Sequence, residues 1–331
     1  MDYIIGIDGG GTKTQCLVAD ENGFILASSV GGSTNPNVIN STILQETFKT
    51  LLDDLNQQLD NDVYNHVTHL FAGISGAGMV MNQNEIKRIL TELLPASVSI
   101  EVYPDPINAL YSGTFGKPGI VQIAGTGSIT YGINENLEHD RVGGWGYLFG
   151  DEGSGYDLGK QGIIAALKAF DGRGKETILE EMLYDSFKVK DGHELVSKIY
   201  TSPFPKHEVA PISRIVMKAY EYNDAVAQKI VTDAVGEIST SILTLYNKLL
   251  KNGESVKVVL CGGVFTNKNV LPPLILKELT RYNSFFSIVI PDFPPVGGSL
   301  IGAYLSKGHR VNRELVKTIS DSYHVINKGS R

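Results

Sequence analysis

The segment Ile4-Ile5-Gly6-Ile7-Asp8-Gly9-Gly10-Gly11-Thr12-Lys13-Thr14 decides the fold. An apolar run of strand length ends on an aspartate, and three glycines break it. The chain then resumes as two more strand-like stretches, 15–19 and 24–30, separated by the turn at Asn22-Gly23. A helix follows, its apolar stripe Leu44, Phe48, Leu51, Leu52, Leu55 and Leu59 spaced at three and four residues. A strand at 67–72, a helix carrying Ile86, Ile89, Leu90, Leu93 and Leu94, a strand at 98–103 and a helix opening after Asp105 complete the order βββαβαβα. Displacing the sequence by 116 residues lays Gly9, Gly11 and Thr14 on Gly125, Gly127 and Thr130, and Thr12 on Ser128. The same elements then recur: strands at 119–124, 128–134 and 138–142, a helix at 157–170, a strand at 256–261, a helix at 268–281, a strand at 286–290 and a last helix from 298. A helical insertion at about 171–250 interrupts the second copy. The chain reads as a duplicated α/β unit.

Composition agrees with a folded two-domain protein. The 331 residues are 42% hydrophobic and 20% charged, enough to bury a sizeable core. Thirty-six are glycine, roughly a dozen more than average usage supplies, without a Gly-X-Y period. With 29 basic against 36 acidic residues the net charge is −7, which argues against a nucleic-acid partner. No apolar stretch approaches the ~20 residues of a membrane span, and the N-terminus lacks the pattern of a signal peptide. The expected location is therefore cytoplasmic, with Cys16 and Cys261 reduced in core strands.

Glycines at a strand-to-strand turn let a backbone approach a ligand and aim its N–H groups at an anion such as phosphate. Gly10, Gly11 and Thr12, with Gly125, Thr126 and Gly127, supply two such turns. Thr12, Thr14 and Ser128 add hydroxyls and Lys13 a charge. Neither turn is a Walker A loop or a dinucleotide fingerprint. Asp8, directly before the first turn, either caps it or holds Mg²⁺ through water beside a nucleotide's phosphates. Asp105 before Pro106 reads as a helix N-cap with proline at the first helical position.

Together with 143–146 (Gly-Gly-Trp-Gly), 150–154 (Gly-Asp-Glu-Gly-Ser) and 261–264 (Cys-Gly-Gly-Val), these motifs make the chain resemble the N-acetylglucosamine kinase family, also labelled BadF/BadG/BcrA/BcrD ATPase, of the actin–hexokinase–Hsp70 superfamily. The resemblance spans residues 4 to about 305. It implies two ribonuclease H-like lobes with a cleft between them, ATP and Mg²⁺ as cofactors, and transfer of phosphate to the C6 hydroxyl of an amino sugar. The lobes are expected at 1–117 and 118–309, hinged near Gly116–Gly119, with a C-terminal extension at 310–331 packing back on the first lobe. Asp105 is the implied catalytic base. Ser33, Thr34, Asn35, Thr126, Gly127, Gly144, Trp145 and Asp151 are the implied sugar contacts, with 34–40 and 75–82 on the side of the N-acetyl or C3 substituent. Gly262 and Gly263, with Gly297 and Gly298, are implied to cover adenine and ribose.

N-acetylglucosamine is the leading substrate, with glucosamine and N-acetylmuramic acid as alternatives, and a homodimer is compatible with the family. Two other classes compete. An activator ATPase with an iron–sulfur cluster needs bridging cysteines, for which Cys16 and Cys261 are poorly placed. A non-enzymatic nucleotide switch leaves Asp105 and the Trp145 segment with no sugar to serve.

Overall fold

The computed structural model describes residues 2–59, 61–250 and 255–328. It divides into two compact units, Met1–Lys117 with Pro291–Arg331, and Pro118–Ile290.

In the first unit β1 (Tyr3–Gly9), β2 (Thr14–Asp20) and β3 (Ile25–Gly31) form an antiparallel meander. Helices α1 (Ser41–Gln58) and α2 (Asn61–Asn65) lead to β4 (Val67–Ile74), α3 (Val80–Leu93), β5 (Ser99–Pro104) and α4 (Pro106–Thr114). The strand order is β3-β2-β1-β4-β5, with β4 parallel to both β1 and β5. Ile4, Ile5 and Ile7 are all buried, so β1 is covered on both faces, which is why it reads as a continuous apolar run. Asn40 starts α1 by accepting from the Ile43 N–H. The stripe of α1 sinks Leu44, Phe48, Leu51, Leu52 and Leu55 into the core, roughly 10 kcal/mol of apolar transfer.

In the second unit β6 (Gly119–Ala124), β7 (Ser128–Ile133) and β8 (His139–Gly143) repeat the meander. Next come α5 (Gly155–Phe170) and the insertion, α6 (Leu179–Phe187), α7 (Gly192–Tyr200), α8 (Pro205–Val209), α9 (Ser213–Glu221) and α10 (Ala225–Leu249). Then follow β9 (Val256–Cys261), α11 (Leu271–Tyr282) and β10 (Phe286–Val289). The order β10-β9-β6-β7-β8 reproduces the first sheet, so the duplicated α/β fold is present in both units. The insertion is anchored where Asp224 caps α10 through the Val226 and Ala227 N–H groups while also accepting from Thr177 and Ile178.

Two features depart from the sequence reading. The uniform displacement of 116 holds only as far as the first strand of each copy. Asp8 faces Gln15, but Ala124 faces Ser128, so the second turn is three residues shorter, and Ser128 corresponds to Gln15 rather than to Thr12. The second lobe ends at 290 rather than 309, because α12 (Pro295–Ser306) belongs to the first unit. Every residue of α12 from Val296 to Tyr304 is buried; its glycines allow close approach, since a Cβ at Gly298 would collide with the Asn108 carbonyl oxygen and one at Gly302 would lie 2.6 Å from the Phe71 ring. Tyr304 donates to the Asp20 carbonyl. The extension contains α13 (Arg313–Lys328), whose Ser322 hydroxyl accepts from the Ile25 N–H; residues 329–331 lie outside the described residues.

Neither cysteine is in a disulfide; Cys16 is buried and Cys261 half-buried. Among the described residues no helix is long and apolar enough to cross a membrane.

Replacing Gly298 by alanine should lower stability by about 2 kcal/mol, since the added methyl has no room on α4. Gly263→Ala, whose Cβ meets nothing within 4 Å, should change it by less than ~0.5 kcal/mol. Urea unfolding midpoints of the two variants check the contrast.

Candidate active site

In the first unit the chemistry gathers at the ends of β1 and β5. The turn after β1 closes through Gly10 N–H to the Lys13 carbonyl at 2.9 Å and leaves Gly11, Thr12 and Lys13 exposed. Asp8 accepts at Oδ1 from Asn108 Nδ2 at 2.7 Å, and the same amide donates to the carbonyls of Ile7 at 3.2 Å and Gly73 at 3.1 Å. Burial pushes the Asp8 carboxyl up to about 6, against the pull of Asn108 and Lys13.

Asp105 stands one residue before α4 with Pro106 at the first helical position, as a cap would, but its backbone is already helical and its carboxylate makes no cap hydrogen bond. The carboxylate is left for other work. Burial, reinforced by the negative charge of Asp8, raises it to about 7.

The oxygen chemistry here suits Mg²⁺. Two half-buried carboxylates repel each other, and the fully buried Asn108 Oδ1 has no hydrogen-bond partner among the described residues. Among those residues no cluster of three or more His, Cys, Asp or Glu side chains could hold a metal alone. Mg²⁺ needs no such cluster, because it takes one or two carboxylates and completes its shell with water and phosphate oxygens.

The loop after β3 lies against the first turn. Ser33 donates from its hydroxyl to the Gly10 carbonyl at 3.2 Å, and Thr34 N–H reaches the same oxygen at 3.3 Å. Thr14 and Thr34 do not face a ligand. Both are completely buried, and their hydroxyls bond each other at 2.9 Å, fastening the loop to the hairpin. Asn35 remains half-buried, donating to the Ser75 hydroxyl at 3.3 Å and accepting from the Asn37 N–H. Gly76, with φ +85°, leaves room for the Asn35 amide, so the segment after β4 does meet the 34–40 loop.

The second unit carries the other glycine turn. Gly125 N–H bonds the Gly127 carbonyl at 2.9 Å, the Gly155 N–H donates to the Gly125 carbonyl at 2.7 Å, and Thr126 is exposed. Ser128 is buried and accepts from Gln122 Nε2 at 2.8 Å. Gly127 carries the Asp151 carboxylate, whose Oδ2 lies 2.8 Å from where a Cβ would be. Asp151 is only 5% exposed. Trp145 is 67% exposed, its ring covered by the Arg141 guanidinium at 4.4 Å, so it is not a core residue. Gly144, at φ +71°, packs its backbone on Ile129.

Gly262, at φ +109°, presses on the Ala124 backbone, and only glycine fits there. Next to it opens a cavity of about 390 Å³ lined by Gly125, Thr126, Pro211, Ser213, Arg214 and Gly263. Gly262 and Gly263 belong to the second unit, and Gly297 and Gly298 to the first. The latter two lie in α12, against Phe293 and Asn108, and serve helix packing.

Sequence reasoning missed Asn108, Lys206, His207, Pro211 and Arg214. Asn108 sits one helical turn after Asp105, a spacing that could have found it. The insertion residues carry no local signal, because their helices read as ordinary packing.

The chain is 36% identical over 275 residues to an N-acetylmuramic acid/N-acetylglucosamine kinase of Clostridium acetobutylicum, covering 82% of this chain and 88% of that one. It is 30% identical over 315 residues to an N-acetyl-D-glucosamine kinase of Dictyostelium discoideum, covering 92% and 99%. In structure it shares its fold with a ROK family glucokinase from Streptomyces griseus in complex with glucose and AMPPNP, at a TM-score of 0.55 and 15% identity, covering 92% and 99%. Residues 5–303 match the family model described as BadF/BadG/BcrA/BcrD ATPase, and the chain belongs to that family.

Proposed function

We propose that the protein is an ATP-dependent kinase that phosphorylates the C6 hydroxyl of an N-acetylated amino sugar, N-acetylglucosamine first. The observation that carries this reading is Asp105, a half-buried carboxylate that caps nothing and is raised to about 7, where a general base works best near neutral pH. The names of the two curated relatives supply the substrate class. One of them also names N-acetylmuramic acid, which is the second substrate to try.

Asp105 takes the proton of the C6 hydroxyl as its oxygen bonds to the γ-phosphorus, and the bond from that phosphorus to the bridging oxygen breaks to leave ADP. Asp8 would hold Mg²⁺, which would supply positive charge against the negative charge that develops on the phosphates. Gly10, Gly11, Thr12 and Lys13 in the first unit, and Gly125, Thr126 and Gly127 in the second, each form a turn suited to a phosphate anion. Trp145 supplies an exposed aromatic wall for a sugar ring, and Asp151 of the same unit takes a sugar hydroxyl. Gly262 and Gly263, with the cavity beside them, receive the nucleoside. The protein works as a sugar-binding enzyme, and its oligomeric state enters none of these steps.

In a coupled assay N-acetylglucosamine should stimulate ADP release, and Asp105→Asn should lower turnover by at least about a hundredfold. Near-normal turnover of that variant would exclude Asp105 as the base. A second prediction concerns pH. Asp105 must be ionised to act, so kcat/KM should rise as pH passes from about 6 to about 7, where Asp8 and Asp105 lose their protons. Because both groups hold protons more tightly folded than unfolded, their contribution to stability is present below about pH 4 and lost as pH rises through these values. Asp105→Asn should therefore melt above the wild type at pH 8, with the gap closing toward pH 4.

A further inference from the structure

Asp151 is held in an unusual way. Its backbone lies at φ +64°, a left-handed conformation that few residues other than glycine adopt, and its carbonyl accepts from the Ser154 N–H at the start of α5. The carboxylate is pressed against Gly127 and nearly sealed from water, where an unpaired charge is costly. The cation that answers it comes from the helical insertion, some fifty-five residues along the chain. Lys206, on α8, places Nζ 3.8 Å from Asp151 Oδ2 and 5.1 Å from the centre of the Tyr147 ring. Tyr147 in turn meets Tyr156 of α5 edge-on at 5.2 Å. The neighbouring His207 lines the cavity that also holds Gly125 and Thr126. One lysine thus joins three things: a buried carboxylate, the aromatic segment that begins at Trp145, and the wall of the cavity.

We infer that Lys206 is a positioning residue for the sugar: it holds the Asp151 carboxylate turned toward Gly127, so that the carboxylate meets sugar hydroxyls in one orientation, and it fixes the Trp145–Tyr147 segment beside it. This rests on Asp151 and Trp145 belonging to the sugar site, as proposed above. Lys206 acts through Asp151, not on the transferred phosphate. Its loss should therefore weaken sugar binding and leave ATP binding and the chemical step nearly untouched.

The test uses the full chain. Trp145 is its only tryptophan, so fluorescence titration with N-acetylglucosamine reads binding at the site itself, independently of turnover. Lys206→Met should raise both the sugar Kd and the sugar KM about tenfold, with kcat within about threefold and the KM for ATP unchanged. Lys206→Arg should restore sugar binding to within about threefold of the wild type. Lys206→Gln, which keeps most of the stem, is read by the same criteria and decides the matter if the methionine variant is unstable. Introduced on an Asp151→Asn background, Lys206→Met should cost less than about a further twofold, because the partner it serves is already neutral. Unchanged sugar Kd and KM in the single variants, or an equal loss on the Asp151→Asn background, overturn the inference. A wild type that phosphorylates the sugar while Lys206→Met binds it normally contradicts the role of Lys206 alone. A wild type with no sugar-dependent ADP release contradicts the kinase reading as well.

Discussion

The amide of Asn108 is the joint on which the first unit's chemistry depends. Its nitrogen serves the Asp8 carboxylate and two strand carbonyls, one from β1 and one from β4, inside a fully buried site where each such bond is strong and each omission costly. Gly73 has no side chain because one would collide with that amide, and Gly298 has none because one would collide with the Asn108 carbonyl oxygen. Helix α4 is therefore fixed at a set height against β1 and β4. Asp105, one turn earlier on the same helix, inherits its position. Two carboxylates are held near each other and away from water, and the mutual effect is visible in Asp105, whose carboxyl is raised by burial and then further by Asp8.

The second unit solves a similar problem with different parts. Its turn is three residues shorter, its strand-end position opposite Asp8 is Ala124, and no carboxylate stands there. What replaces it is backbone crowding: Gly262 against Ala124, Gly155 against Gly125, and the Asp151 carboxylate against Gly127. Its buried charge is answered by Lys206 rather than by an amide. The duplication preserved the sheet order and the glycine turn while the two copies took up different electrostatics. One unit presents acids for a base and a cation, and the other presents a turn, a cavity and an aromatic segment.

Much of this was legible in the sequence because backbone constraints write themselves as glycine. The two turns, the succession of elements along the chain and the apolar stripe of α1 all follow from periodicity and punctuation, and Asp8 and Asp105 stand out as carboxylates at strand ends. What misled was side-chain direction. Thr14 and Thr34 look like ligands on a glycine-rich loop, yet the alternation of β2 turns Thr14 inward to meet Thr34. Gly297 and Gly298 look like a nucleotide turn, but they lie inside a helix whose close packing demands them. Lys206 and Asn108 were silent for the opposite reason: their roles come from partners about 55 and 100 residues away, and no local pattern encodes a long-range contact.

The central claim is that phosphate moves to a sugar oxygen rather than to water. Phosphorus NMR of the product formed from ATP, Mg²⁺ and N-acetylglucosamine tests it most directly. The account predicts a new phosphomonoester whose phosphorus couples to the two methylene protons at C6. ADP accompanied only by inorganic phosphate would contradict it.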